Sequence, residues 1–271
     1  MLKDITLGQY FPGKTIVHRL DPRTKLVLMV AYFTALFMAK GLLAYALMLV
    51  VLITFLSLAR IKPRTAISGL RRIMVILLIS VIFNVFLIRG ETVLFEYRRI
   101  MITREGVFTA IFMAARLMML LISAFMLTYT TSPIALTDGI ERILSPLKRI
   151  KLPIHELAMM MSLALRMIPT IIEETDKIMS AQKARGADFE SGGLIKRAKA
   201  FLPLIIPLFV SAFRRSEELA IAMESRCYHG GKGRTRMKVL KTAARDYIAL
   251  LCGAAIIAAV ILLGRVNIWQ I

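Results

Sequence analysis

Cysteine is nearly absent from this 271-residue chain: Cys227 lies in a basic stretch and Cys252 in the last apolar run. Two such residues build neither a disulfide framework nor a four-cysteine zinc site, and they permit a reducing compartment. Acidic residues are scarce as well, 17 Asp and Glu against 37 Lys and Arg, which leaves a formal net charge of +20. An excess of that size points to nucleic acid, anionic lipid or a large cytoplasmic face, and the placement of the charges decides among them. The signatures of common active sites are missing too. Gly230-Gly231-Lys232-Gly233-Arg234-Thr235 is rich in glycine but lacks the spacing of a phosphate loop, and no His-Glu-Xaa-Xaa-His or Gly-Xaa-Ser-Xaa-Gly run occurs. Cys227 and His229 stand close together without the further ligands of a metal site. The chain is therefore read as non-catalytic, with no cofactor and no metal.

Apolar residues are what the chain has in abundance. They make up 58% of it, its mean hydropathy is +0.69, and Gly and Pro are few, which exceeds the apolar content of a soluble globular protein. The reading is an all-α integral membrane protein with about five transmembrane helices, within six to eight helices in total in the membrane region. The candidate spans are 26–39, 41–59, 73–88, 107–129 and 247–263. The first is short for a hydrocarbon core of ~30 Å unless its flanks join it. It follows a charged segment and precedes no small-residue cleavage site, so a removable signal peptide is not expected.

Loop charges predict the orientation. Arg19, Arg23 and Lys25 precede the first span, and Arg60, Lys62, Arg64, Arg71 and Arg72 fill the loop after the second with no acid among them, so both should be cytoplasmic. Lys40 alone follows the first span, and the loop 89–105 mixes Arg89, Arg98, Arg99 and Arg104 with Glu91, Glu96 and Glu105, so these read as external. An N-in chain of five spans ends outside, where only Arg265 is charged.

The segment between the fourth and fifth spans is too apolar for a linker and too charged to cross repeatedly. It is expected to fold at the cytoplasmic surface, giving a division into 1–130, a coupling region 131–245, and 246–271. Ser132-Pro133 predicts a helix over 134–143. After Pro153, the residues Ile154, Leu157, Met161, Leu165, Ile168 and Ile172 recur at three- and four-residue steps and form one apolar face. Pro169 should kink that helix. Beyond it Glu173 and Lys177 have the favourable i,i+4 spacing, and the helix runs to Ala184-Arg185 before Gly186. A second amphipathic run, 207–225, ends at Ser225-Arg226-Cys227, ahead of Gly230-Gly231. The residues leave two readings of Arg185 and Arg226 open. A cation in a last helical turn complements the macrodipole by ~0.3–1 kcal/mol and needs no partner. Alternatively, two helices ending in the same planar, bidentate cation form a paired device for carboxylate-lined grooves.

His18-Arg19-Leu20-Asp21-Pro22-Arg23-Thr24-Lys25-Leu26 resembles the entry to the first membrane helix of the transmembrane coupling (T) component of energy-coupling-factor (ECF) type ABC transporters. Ala184-Arg185-Gly186 resembles that family's first Xaa-Arg-Xaa coupling motif. Ala222 to Tyr228, with Ser225-Arg226-Cys227 at its centre and Gly230, Arg234 and Thr235 after it, resembles the second, and Leu165-Arg166-Met167-Ile168-Pro169 fits the pattern ahead of both. The likeness extends from about residue 18 to 236. Cys227 departs from it, since family members can have Gly there. The resemblance implies a membrane scaffold of a vitamin or transition-metal importer in a prokaryotic cell membrane. It would join two ABC-type ATPase subunits to a small substrate-binding (S) subunit, with Arg185 and Arg226 each entering an ATPase groove.

Two other readings stay open from the residues. A conventional ABC permease is suggested by Gly186-Ala187 followed by Leu202-Pro203 and Pro207. A basic module for anionic lipid or nucleic acid is suggested by Arg234, Arg236, Lys238, Lys241 and Arg245. No aromatic interleaving accompanies those charges and positive-inside anchoring explains them, so nucleic acid is not expected. Asp21 and Arg23 read as a local ion pair at a helix start, Asn84 and Arg116 as polar groups needing a partner inside the bundle, and Met118, Met119, Met126 and Met159 to Met161 as gap-filling thioethers or repacking surfaces.

Overall fold

Asp21 starts the first helix as its sequence predicts. Its carboxylate accepts the Arg23 backbone N–H at 2.9 Å, Pro22 occupies the first turn where no N–H is needed, and the Arg23 Nε lies 3.7 Å from the same oxygen. The computed structural model describes residues 10–61, 65, 69–70, 73–88, 92–97, 100–146, 152–189, 193–231 and 241–265. Of the charges used to orient the chain, Lys62, Arg64, Arg71, Arg72, Arg89, Glu91, Arg98 and Arg99 lie outside these residues, as does the glycine-rich and basic run from Lys232 to Leu240.

Among the described residues the elements are α1 (Pro22–Met38), α2 (Leu42–Ala59), α3 (Met74–Leu87), β1 (Val93–Tyr97), β2 (Ile100–Thr103), α4 (Arg104–Thr130), α5 (Pro133–Leu144), α6 (Ile154–Ala184), α7 (Leu194–Ala200), α8 (Leu202–Ser225) and α9 (Ala244–Arg265). The fold is that of a helical membrane protein, with one short antiparallel hairpin added. Its register pairs Val93 with Thr103 and Phe95 with Ile102, with an irregularity between Val93 and Phe95. Gly8–Gly139 and Leu240–Ile271 form one compact unit, and Ile140–Val239 belongs to another.

In the first unit, polar contacts fix the directions of the helices. The Asp21 backbone N–H donates to Asp246 Oδ1 at 2.8 Å, so α1 and α9 begin at the same end. The Lys25 ammonium donates to the Thr130 carbonyl at 2.8 Å, which brings the last turn of α4 there too, running the other way. At the opposite end of α4, Thr103 caps the helix by accepting the Gly106 N–H at 3.2 Å while its hydroxyl donates to the Ile88 carbonyl at 3.1 Å, so α3 and α4 are antiparallel. Between α1, α2, α4 and α9 the core holds Ala35, Leu36, Tyr45, Met48, Met119 and Val260. Small residues such as Ala35, Ala39 and Ala44 let the helices approach closely, as membrane helices require. The opposite faces present Val50, Ile53, Ile76, Leu87 and Leu251, each more than half exposed, as a lipid-facing surface does.

Among the described residues, four helices are long and apolar enough to cross a membrane: α2, α4, α6 and Ala244–Gly264 of α9. Three of them coincide with expected spans. The other two expected spans correspond to α1, of 17 residues, and α3, of 14, whose lengths of about 25 and 21 Å fall short of the hydrocarbon core. α6 is the difference. Its charge pattern predicts a place at the cytoplasmic surface, and it is both the least apolar of the four and long enough to cross.

The polar groups inside the apolar helices find partners. Asn84 turns its amide back to the Ser80 carbonyl at 2.7 Å within α3. Arg116 lies over the rings of Phe37 and Tyr45, its guanidinium carbon 5.7 and 5.6 Å from their centroids, so aromatic faces rather than a carboxylate receive its charge. Met119 and Met126 are core fillers, whereas Met160 and Met161 of α6 are about half exposed.

Candidate coupling site

α6 and α8 lie in the second unit and pack against each other. α6 runs for 31 residues with Pro169 inside it, and α8 starts at Leu202, five residues ahead of the expected Pro207. Pro203 sits in the first turn, where its missing N–H costs nothing. Pro207 then leaves the Pro203 carbonyl without its helical donor, and the side-chain amide of Gln182 from α6 reaches that oxygen at 3.5 Å. Nearer the middle, Glu174 of α6 accepts the Ser211 hydroxyl and pairs with Arg215 at 3.1 Å. Glu173 and Lys177 have the spacing for an ion pair along α6, whereas Glu174 beside them pairs across to the neighbouring helix.

Glu174 meets α8 near Ser211 to Arg215 and Gln182 meets it near Pro203, so the two helices are antiparallel and their C-terminal tips point in opposite senses. Eleven residues separate Glu174 from Arg185, and eleven separate Arg215 from Arg226. Each tip therefore stands about 16 Å of helix from the central ion pair.

Both tips close in the same way. Arg185 is the C-cap of α6, the Gly186 N–H donates to the Lys183 carbonyl at 3.0 Å, and the Ala187 N–H reaches back to Gln182 at 3.0 Å. Arg226 is the C-cap of α8, the Cys227 N–H donates to Glu224 at 2.8 Å, and the Tyr228 N–H reaches back to Met223 at 3.1 Å. These are two Schellman closures, each with its residue after the cap in the left-handed region: Gly186 at φ 88° and Cys227 at φ 56°. All six residues of the two triplets, Ala184, Arg185, Gly186, Ser225, Arg226 and Cys227, are exposed. What the closures do chemically is to satisfy the last carbonyls with backbone donors, which leaves both guanidinium groups available to an outside partner.

Cys227 thus occupies a conformation that costs a side chain energy and glycine none. Cys227→Gly is expected to stabilise that helix end by about 0.5–1 kcal/mol, after allowing for the greater freedom of glycine in the unfolded chain. Gly186→Ala should do the reverse, purely through torsion, since a methyl there meets nothing within 4 Å. Hydrogen exchange at residues 222–228 and 181–187 reads both effects.

The tails that leave the tips were not legible as contacts. Phe189 is buried and packs on Phe201, ring centroids 5.6 Å apart, directly ahead of α8. Gly231 abuts the imidazole of His155 in the first turn of α6, so that a methyl at 231 would overlap the ring, and His155 Nδ1 lies 3.1 Å from Glu141 Oε1. Nothing in the local pattern signals either contact, because each joins segments that are remote along the chain.

A family model described as cobalt transport protein (CbiQ) matches residues 13–238. Curated relatives named energy-coupling factor transporter transmembrane protein match over nearly the whole chain. The one from Clostridium kluyveri is 48% identical over 267 residues, 98% of each chain, and the one from Ruminiclostridium cellulolyticum 51% identical over 249 residues, 92% of each. The one from Brevibacillus brevis is 44% identical over the full length of both. With the apolar helices that make it a multi-pass membrane protein, this likeness shows that the chain belongs to the transmembrane (T) component family of energy-coupling factor transporters.

Proposed function

We propose that this chain is the scaffold of an ATP-driven micronutrient importer, for a vitamin or a transition metal, that joins two ABC-type ATPase subunits to a small substrate-binding membrane subunit. Arg185 and Arg226, with their flanking Ala184, Gly186, Ser225 and Cys227, each dock into a groove on one ATPase. The N-terminus and both coupling helices face the cytoplasm, and ATP is hydrolysed in the partners.

The observation that carries this reading is the pair of identically closed, exposed arginine tips at opposite ends of two antiparallel helices. Helix-dipole complementation alone accounts for a cation at either end but gives no reason for matched closures and equal arms. A pair of arms about 33 Å from tip to tip at full extension suits a pair of motors, one at each end. When ATP binding closes the motors, their grooves move and the tips follow. The apolar stripe of α8 formed by Ile205, Ile206, Phe209, Val210 and Phe213, each exposed, then shifts against the substrate-binding subunit.

The test is affinity purification of the tagged chain from native membranes. Two ATPase chains and a small membrane protein copurifying with it support the reading, and an intact chain that brings down no ATPase overturns it.

A further inference from the structure

We infer that the two coupling helices are tied to each other at both ends as well as in the middle, so that the Arg185 and Arg226 tips move as one rigid frame, with Phe189 and His155 as the positioning residues that close it. This rests on the proposed coupling role and adds how the two tips communicate.

The argument is one of reciprocity. The tail that follows Arg185 runs four residues to Phe189, whose ring packs on Phe201 at the start of α8. The tail that follows Arg226 runs five residues to Gly231, which abuts His155 at the start of α6. Each tip is thus held at the start of the other helix, by its cap residue Phe201 in one case and by His155 of its first turn in the other. Glu174, held by Ser211 and Arg215, adds the tie at the centre. A helix pair joined only at its middle would pivot like scissors, each tip free to follow its own partner. Ties at both ends remove that freedom, because opening the crossing angle would pull Phe189 from Phe201 and Gly231 from His155 together.

The two locks differ in chemistry, which makes them separable. The first is an aromatic contact around a buried Phe189. The second works by close approach. Glycine at 231 lets the backbone lie against the imidazole, and Glu141 on α5 holds that ring by its Nδ1. A side chain at 231 cannot enter without displacing His155, so Gly231→Val opens the second lock while leaving Arg226 and the α8 closure unchanged in sequence.

The experiment uses the full-length chain in detergent, alone and in complex with its ATPases. Spin labels go on Ser180→Cys and Ala222→Cys, both exposed sites one turn inside the tips, in a Cys227→Gly/Cys252→Ser background. The expected result is one narrow distance distribution that shifts as a single population when the complex binds a non-hydrolysable ATP analogue. Phe189→Ala or Gly231→Val should widen it at least about twofold, with ATPase copurification retained, and Phe189→Tyr should restore it. A second variant, His155→Gln, keeps a donor for Glu141 and should broaden the distribution less than His155→Ala. A wild-type distribution as broad as that of the variants, or variants as narrow as wild type, overturns the frame. Absence of ATPases from the wild-type sample overturns the coupling role instead, and the distances in the isolated chain still test the frame.

Discussion

Replacing both Arg185 and Arg226 by alanine is expected to release the ATPase subunits and abolish uptake, while the chain stays folded and inserted. Both residues are exposed C-caps whose closures are made by backbone N–H groups, so alanine leaves every one of those hydrogen bonds in place. The cost to the fold is the lost dipole complement, ~0.3–1 kcal/mol at each tip. The cost at an interface is larger. Removing one partner of a buried, hydrogen-bonded charge pair takes away about 2–5 kcal/mol, more than tenfold in affinity for each arginine. Single variants should therefore weaken uptake and the double variant end it. Arg→Lys at either tip should fall between, since an ammonium keeps the charge but not the planar fork. Copurified ATPase per mole of tagged chain is the direct readout, and wild-type recovery with the double variant would remove the two triplets from the coupling machinery.

Asp246→Ala is expected to be the most destabilising single substitution among those considered, costing about 3–5 kcal/mol. Asp246 is 2% exposed and its two carboxylate oxygens accept separate backbone donors, Asp21 N–H and Ala243 N–H, both at 2.8 Å. The second ties the N–H of the residue before α9 to that helix's first turn, and the first joins the helix to the start of α1. Alanine would strand both donors in a buried site at about 1–3 kcal/mol each. It would also remove a negative charge from beside Lys25, a buried ammonium that donates to Thr130 O at 2.8 Å and to His18 O and Thr131 Oγ1 at 3.3 Å. Asp246→Asn keeps one acceptor oxygen and should lose about half as much. Thermal unfolding of the detergent-solubilised chain measures the series. An alanine variant that melts with wild type would mean that water reaches these donors.

The two predictions draw on different kinds of information, and only one was open to a reading of the sequence. Arg185 ahead of Gly186 and Arg226 ahead of Cys227 announce helix ends because capping chemistry acts within four or five residues. The same holds for Asp21 before Pro22, and for Ser132 before Pro133, where the Ser132 hydroxyl accepts the Ala135 N–H at 3.3 Å. Asp246 gave no such sign of its second role. In the sequence it is one acid at the start of an apolar run, and its partner is 225 residues away. The start of α8 is hidden in the sequence for a related reason. Pro207 resembles a helix start when the Gln182 amide that reaches the Pro203 carbonyl is not in view.

That the chain is a helical membrane protein, where its arginine tips fall and which family it resembles are all legible in the order of its residues. Composition, periodicity and caps are local properties, and their energies are set before distant segments meet. Folding across the chain sets α6 and α8 antiparallel with their tips in opposite senses, pairs Glu174 across to Arg215 rather than along its own helix, and seats Phe189 on Phe201 just ahead of α8 and Gly231 on His155 of α6. It also rests Arg116 on aromatic rings and ties the last helix to the first through Asp246. Those contacts gain their free energy only once the loops between them have closed, so no short window of residues carries them.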